Sequence, residues 1–147
     1  MKSENLQTRA GMGILVMREG RMLLGKRRGS HGAGYYAAPG GHIEYGESYA
    51  ETARREVREE TGLEITSLRL LSVGNYLFDG ARHYVDIDFV CEAPCGEAQL
   101  REPEKCEGWA WYDPDDLPEP LFIVTRRMLD ALRSGVILRD IETVERQ

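Results

Sequence analysis

Hydrophobic residues fall in short runs and regular spacings that predict a series of strands. Two apolar runs, 13–17 and 22–25, flank the polar segment 18–21, and this arrangement predicts a β-hairpin. A β-rich stretch at 68–78 is followed at once by an Asp-Gly turn signal. Apolar and polar residues then alternate over 84–89, which predicts a half-buried strand. A further short strand is expected at 109–112.

One helix is predicted over 48–60. Ser48 and Glu51 have the spacing of a capping box at the start of this segment. Small and aliphatic residues then recur on one side at helical spacing, and Gly62 stands where a helix ends. The segment is therefore expected to be an amphipathic helix with one buried face.

The remaining chain is predicted to contain loops and a second helix. Gly-rich residues 29–41 are expected to form a loop with a short extended piece near 36–38, and three prolines mark a loop at 114–120. The second helix is expected over 121–133, before Gly135. Strands on both sides of one helix, followed by another helix, indicate a mixed α/β fold.

Composition bounds the protein class. The chain has 147 residues, 41% hydrophobic and 30% charged, which is typical of one globular domain. We expect a single domain over 1–147, with a core at about 10–135 and flexible termini. No apolar run approaches the roughly 18 residues of a membrane helix, and no secretory signal is visible. Three sparse cysteines fit a reducing compartment, so a cytoplasmic location is expected.

The net charge of −6 argues against a nucleic-acid-binding surface. The charges are unevenly distributed, with a basic cluster at 26–28 and an acidic cluster at 44–60. An acidic cluster facing a basic one would suit a metal ion and a polyphosphate. The alternative is two unrelated solvated surfaces.

Three glutamates could hold a divalent metal. Glu56, Glu59 and Glu60 are spaced i, i+3 and i+4, so they share one face of the predicted helix and repel one another. A hard cation with oxygen ligands, such as Mg²⁺, would offset that repulsion. Arginines interleave with the glutamates, however, so a salt-bridged and solvent-exposed helix is the alternative.

The whole segment 41–63 favours the metal site. It fills every position of the pattern G-x5-E-x7-R-E-U-x-E-E-x-G-U, where U is an aliphatic residue. Seven fixed residue types match by chance roughly once in 10⁸ windows. On this pattern the chain resembles the Nudix hydrolase family of MutT-like enzymes.

The resemblance implies a fold and a chemistry. The fold would be an α/β/α sandwich with a central mixed sheet and a loop–helix–loop catalytic motif. The motif would bind Mg²⁺, with Mn²⁺ as a substitute, and the reaction would hydrolyse a nucleoside diphosphate linked to another group. Glu56, Glu59 and Glu60 match the catalytic and metal-ligand positions, and the Gly40 carbonyl matches a further ligand position. The motif's structural positions correspond to Gly41, Glu47, Arg55 and Gly62.

Segments outside the motif resemble one subgroup. Residues 24–27, 39–47, 102–109 and 117–122 are similar to the nucleoside triphosphate diphosphatases. This implies hydrolysis of (deoxy)nucleoside triphosphates, including oxidised or non-standard ones, to monophosphate and pyrophosphate, and it suggests a homodimer. Another nucleoside diphosphate derivative, such as ADP-ribose, is the alternative substrate. A third hypothesis is that the chain is a non-catalytic module that senses a nucleotide.

Candidate substrate-binding residues lie on both sides of the motif. Two basic side chains could neutralise phosphate oxygens, and a histidine beside the motif could form a hydrogen bond to the sugar or the α-phosphate. Two later glutamates could act as the general base in place of Glu56 or Glu59. An aromatic residue could stack on the nucleobase. Each has a structural alternative: a solvated strand end, a loop bond or core packing. These candidates are Lys26, Arg27, His42, Glu104, Glu107 and Phe122. Tyr36, Trp109 and Leu121 could also line a base pocket, whereas His31 and His83 are expected at the surface or in loops.

Overall fold

The computed structural model describes residues 6–29, 31–145 and 147. Its helices and strands agree closely with the predicted elements, including the hairpin and both helices. The elements in chain order are β1 (Thr8–Arg18), β2 (Arg21–Arg27), β3 (Tyr36–Ala37), β4 (Gly40–His42), α1 (Tyr49–Thr61), β5 (Thr66–Phe78), β6 (Arg82–Glu92), β7 (Cys106–Tyr112), α2 (Ile123–Ser134) and β8 (Glu142–Val144).

The strands form one mixed sheet in the order β3-β2-β1-β6-β5-β8. Strand β4 also pairs with β1, and β7 also pairs with β2. The β1–β6 and β5–β8 pairs are parallel, and the other pairs are antiparallel. The parallel β1–β6 pair brings residues 75 positions apart in the sequence side by side, and this pairing builds the centre of the site.

Each face of the sheet is covered by one helix. Successive residues of a strand point to opposite faces, and in β1 Ile14 packs in the cluster that contains Val57 of α1, whereas Leu15 packs in the cluster that contains Met128 of α2. Helices on both faces of a mixed sheet form the expected α/β/α sandwich. The fold class predicted from the sequence is therefore confirmed.

The ends of α1 follow the expected signals. Ser48 Oγ accepts a hydrogen bond from the Glu51 backbone N–H at 3.1 Å. Gly62 ends the helix in the left-handed conformation, with φ of 74°, and its N–H donates to the Arg58 carbonyl. Gly135 ends α2 in the same way, with φ of 76°.

Strand β6 differs from its predicted environment. The alternating pattern suggested one solvated face, but both faces are covered, and Asp86 and Asp88 are only 8% and 0% exposed. Asp88 accepts hydrogen bonds from the Gly13 N–H at 2.8 Å and from Ser72 Oγ at 3.3 Å. The half-buried prediction is wrong because the polar positions of β6 face α2 rather than water.

Two strands were not expected. Strand β4 lies in the predicted Gly-rich loop, where it pairs with β1 through residues 11–13. Strand β8 follows the predicted core and pairs with β5. Among the residues that the structure describes, no helix is long and apolar enough to cross a membrane.

Candidate active site

The segment between β4 and α1 is fixed to the helix by Glu47 and Arg55. Arg55 donates to both carboxylate oxygens of Glu47, from Nε at 2.7 Å and from a terminal nitrogen at 2.8 Å. Glu47 also accepts from the Glu44 backbone N–H and from Thr52 Oγ1. The hydrogen bond from Arg55 lowers the pKa of Glu47 to about 2. The two residues predicted to be structural are thus bonded to each other.

Glu56 lies in a space that Gly41 leaves open. A Cβ at Gly41 would collide with the Glu56 carboxylate, so the motif's first glycine makes room for its first glutamate. Arg55 donates to Glu56 Oε1 at 2.8 Å. Burial nevertheless raises the pKa of Glu56 above its ordinary value, because Arg55 compensates for desolvation only in part.

Glu60 is held by one hydrogen bond to its carboxylate and one to its backbone carbonyl. Its Oε2 accepts a hydrogen bond from the Gly40 N–H at 2.9 Å, and its carbonyl accepts from Trp109 Nε1 at 3.1 Å. Burial, and secondly the charge of Glu56, raise the pKa of Glu60 to about 8. The end of α1 therefore presents a carboxylate whose negative charge is poorly compensated by protein groups.

Glu59 is the most accessible of the three glutamates. Its side chain is 52% exposed and forms an ion pair with Arg55 at 3.3 Å. It lies on the same helix face as Glu56 and Glu60, and all three line one cavity. This accessibility distinguishes it from its two more enclosed neighbours.

The carboxylate oxygens at the C-terminal end of α1 fit a hard divalent cation. Among the described residues, no three acidic, histidine or cysteine side chains already converge as a metal cluster. Two enclosed carboxylates with raised pKa values, Glu56 and Glu60, are nevertheless adjacent and lie beside the Gly40 backbone. Mg²⁺ needs only one or two protein carboxylates, because it retains water and shares substrate phosphates. These residues therefore suit a magnesium site better than a soft-metal site.

One cavity of about 470 Å³ joins the glutamate end of α1 to the opposite side of the sheet. Its volume is in the range of about 300–1,000 Å³ that is typical of small-molecule sites. Beyond the glutamates it is lined by backbone of β1 and β4, by basic side chains and by an aromatic group near α2. The residues that matter most below are Gly11, Arg27, His31, His42, Phe78, Tyr84, Asp86 and Phe122.

The far end of the cavity is aromatic. Phe78 and Phe122 are stacked with their ring centroids 5.9 Å apart. His31 packs edge-on against both rings, at 4.5 Å and 5.3 Å. Burial, with help from the nearby Arg82, lowers the pKa of His31 to about 4. His31 was expected at the surface or in a loop; it lies in the loop between β2 and β3, and this loop also places it in the cavity lining.

Arg27 lies between the two ends. Its guanidinium lies over the Phe122 ring at 4.6 Å, and its Nε donates to the His31 carbonyl at 2.9 Å. Burial lowers its pKa, whereas the charges of Glu60 and Asp86 raise it. Arg27 is thus a partly buried cation within electrostatic reach of both the glutamate end and the aromatic end.

His42 also lines the cavity. Its ring stacks on Tyr84 at 5.6 Å, and its Nε2 is 3.3 Å from the Tyr84 hydroxyl. Burial and the charge of Arg9 lower the pKa of His42. Both alternatives from the sequence, a structural bond and a ligand contact, are compatible with this position.

The structure does not bring every candidate to the cavity. Lys26 forms an ion pair with Glu107 at 3.7 Å, and neither residue lines the cavity; nor does Glu104. Trp109 and Phe122 contribute to the lining, but Tyr36 and Leu121 do not. Sequence reasoning missed Asp86, because its place in the cavity depends on contacts between segments that are distant in the sequence.

Comparison with known proteins assigns the family. Residues 7–132 match the family model described as NUDIX domain. The chain therefore belongs to the Nudix family, whose enzymes act on phosphoric anhydride bonds and generally use divalent metals.

The chain is similar in sequence to relatives that are named for several different activities. A protein of Danio rerio named oxidized purine nucleoside triphosphate hydrolase is 31% identical, over 71% of this chain and 66% of the relative. An ADP-ribose pyrophosphatase of Methanocaldococcus jannaschii is 30% identical, over 81% of this chain and 70% of the relative. The chain spans less than half, 41–47%, of several relatives named NAD-capped RNA hydrolase NudC.

A solved structure shares the architecture over nearly its full length. The crystal structure of a MutT NUDIX hydrolase from Burkholderia pseudomallei matches with a TM-score of 0.81 and 34% identity. The match covers 86% of this chain and 98% of that chain.

Proposed function

We propose that this protein hydrolyses (deoxy)nucleoside triphosphates, including oxidised ones, to a nucleoside monophosphate and pyrophosphate. The observation that carries the proposal is that one cavity of about 470 Å³ has three glutamates at one end and aromatic rings at the other. A triphosphate would lie toward the glutamates and its base toward the rings. The Danio rerio relative named as a triphosphate hydrolase supports this substrate class.

Mg²⁺, or Mn²⁺ in its place, is the cofactor in this proposal. Glu56, Glu60 and Glu59, together with the Gly40 carbonyl, would hold it. When bound, the cation would neutralise phosphate charge and activate the attacking water. The raised pKa values of Glu56 and Glu60 support this role, since a cation would relieve the repulsion that burial creates between them.

The protein's own groups would position the phosphates and the carboxylates. Arg27 would neutralise phosphate oxygens with its charge-assisted hydrogen bonds. The Gly40 N–H would hold Glu60 in place, and Arg55 would hold Glu56. Because Arg55 also bonds to Glu47, the segment before α1 and the reactive face of α1 would move as one unit.

Glu59 is our candidate for the group that accepts the proton from water. Water would attack the β-phosphorus, a new P–O bond would form, and the bond to the α-phosphate oxygen would break. The water's proton would pass to the Glu59 carboxylate, whose side chain is exposed and only weakly held. Glu104 and Glu107, the other candidates outside the helix, lie away from the cavity lining.

A second candidate substrate is ADP-ribose or a related nucleoside diphosphate derivative. The Methanocaldococcus jannaschii relative named ADP-ribose pyrophosphatase favours it. The same carboxylates would act on the same type of anhydride bond. The cytoplasmic location and the homodimer expected from the sequence stay predictions within this proposal.

A substrate panel tests the proposal. We would measure kcat/KM for deoxynucleoside triphosphates, 8-oxo-dGTP, ADP-ribose and a prenyl diphosphate with Mg²⁺, and again with excess chelator. We expect the triphosphates to be the best substrates and the chelator to abolish turnover. Preferential turnover of ADP-ribose would favour the second candidate, and no turnover of any phosphoric anhydride would refute both.

A further inference from the structure

Asp86 is a buried carboxylate that the proposed reaction does not use. It lies in β6, pairs with Gly11 of β1 and with Gly74 of β5, and is 8% exposed. A Cβ at Gly11 would collide with Asp86 Oδ1, so this glycine leaves the room that the carboxylate occupies. The ring of Tyr76 lies over Gly74 and closes the other flank. Asp86 lines the cavity at its aromatic end.

Asp86 differs from Asp88, which lies two residues further along the same strand face. Asp88 accepts hydrogen bonds from the Gly13 N–H and from Ser72 Oγ. Asp86, by contrast, accepts no hydrogen bond from the part of the chain that the structure describes, and Arg27 acts on it as a nearby charge. Since buried polar groups nearly always have a partner, the Asp86 oxygens are available to donors in the cavity.

The surroundings define the shape and the polarity of that partner. Phe78, Phe122 and Tyr84 line the same cavity as Asp86, so its aromatic walls favour a ring system over a polar chain. Burial raises the pKa of Asp86, whereas the nearby positive charge of Arg27 opposes that shift and so favours the ionised carboxylate. An ionised carboxylate only accepts hydrogen bonds. The expected ligand is therefore a planar ring that offers N–H donors.

Few bases offer two donors that match the two oxygens of a carboxylate. Adenine and cytosine place an unprotonated ring nitrogen beside their amino group, and this nitrogen would repel Asp86. Uracil and thymine place carbonyl oxygens on both sides of their ring N–H. A ring N–H next to an exocyclic amino group occurs in guanine, in 8-oxoguanine and in the oxidised or reduced pterins.

We propose that Asp86 selects triphosphates whose ring carries an N–H beside an exocyclic amino group, as in guanine and pterin. The inference rests on the proposed triphosphate hydrolysis and adds the class of base. The discriminating contact would be a pair of parallel hydrogen bonds from the ring to the two carboxylate oxygens, made inside the cavity that Asp86 lines.

Steady-state kinetics with matched substrates and variants test this proposal. We would compare kcat/KM for dGTP, for dITP, which lacks the amino group, for dATP and for a 2-amino-4-oxopteridine triphosphate. We expect wild type to prefer dGTP over dITP by about tenfold or more, the discrimination typical of a bidentate contact. Asp86→Asn should bring that ratio close to one, whereas Asp88→Asn, the same change at a residue outside the cavity lining, should leave the ratio unchanged.

Binding of products separates the base contact from the chemistry. Calorimetric titration of wild type with GMP and with IMP, in the presence of chelator, should give weaker binding of IMP. Equal binding of the two, or a wild-type dGTP to dITP ratio near one, would overturn the role of Asp86 while leaving triphosphate hydrolysis intact. The dGTP and pteridine arms show which ring is preferred, and absence of turnover of every triphosphate would instead refute the proposed function.

Discussion

Glu60 combines burial with a backbone hydrogen bond at the reactive end of α1, so its substitution is the most informative single change. We expect Glu60→Gln to lower kcat by about 100-fold or more, in the range seen when one preorganised electrostatic contribution is lost. The melting temperature should stay close to that of wild type, since the amide keeps the size of the side chain and can accept the Gly40 N–H. Steady-state kinetics and thermal unfolding check both points.

Glu64→Gln is the matched control for this change. Glu64 follows α1, its side chain is 67% exposed, and it bonds to Arg58 outside the cavity. This variant should keep wild-type turnover. Normal turnover of Glu60→Gln, or equal losses in both variants, would contradict the assignment of Glu60.

Glu47 should act through the position of the segment rather than through the chemistry. Its carboxylate receives four hydrogen bonds from Arg55, Thr52 and the Glu44 backbone. Glu47→Gln should lower the melting temperature at neutral pH, because the charge-assisted bonds from Arg55 are weakened. Part of the turnover should be lost as well. Lost turnover at an unchanged melting temperature would argue against the structural role.

His31 should make the stability of the fold depend on pH. Its pKa in the folded protein is about 4, below the ordinary value of 6.5, because it is buried near Arg82 and Arg27. The contribution of the neutral His31 ring to the free energy of unfolding is therefore complete above pH 6.5. It is lost as the pH falls toward 4, because in that interval only the unfolded chain binds the proton. His31→Phe keeps a ring against Phe78 and should flatten this part of the stability profile. Superimposable profiles of the two proteins would refute the effect.

At the scale of elements, α1 determines where the glutamates lie, and its C-terminal glycine can be tested against a matched glycine. Gly62 and Gly135 end α1 and α2 with φ of 74° and 76°. Alanine at either position should lower stability by about 1–2 kcal/mol through left-handed backbone strain. At Gly62 the new Cβ would also contact the Arg101 side chain, whereas at Gly135 it would meet open space.

The two glycine variants should differ in activity. Gly62→Ala should reduce turnover, because the last turn of α1 carries Glu59 and Glu60. Gly135→Ala should leave turnover unchanged, because the end of α2 does not line the cavity. Equal turnover in both, measured well below their melting temperatures, would mean that the end of α1 tolerates displacement.

The elements themselves were largely predictable from local signals. Ser48, Gly62 and Gly135 act at helix ends through interactions with nearby residues, so their effect is visible in the sequence. The environment of β6 was not predictable in the same way. Whether Asp86 faces water or a cavity depends on its pairing with Gly11 and on the cover provided by α2, which are contacts between distant segments.

At the scale of the whole molecule, the motif indicated the glutamate end and the fold determined the rest of the cavity. The spacing of Glu56, Glu59 and Glu60 was enough to expect one helix face. The aromatic end could not be inferred in full, because it joins β2, the loop after it, β5, β6 and the start of α2. For the same reason His31 and Asp86 enter the cavity while Lys26 pairs with Glu107 outside it.

The most direct test of the central claim is product analysis of dGTP hydrolysis with Mg²⁺ in water enriched in ¹⁸O. The account predicts dGMP and pyrophosphate as products, with one ¹⁸O atom in the pyrophosphate, and no reaction after chelation. Release of orthophosphate and dGDP, or turnover that survives chelation, would contradict it.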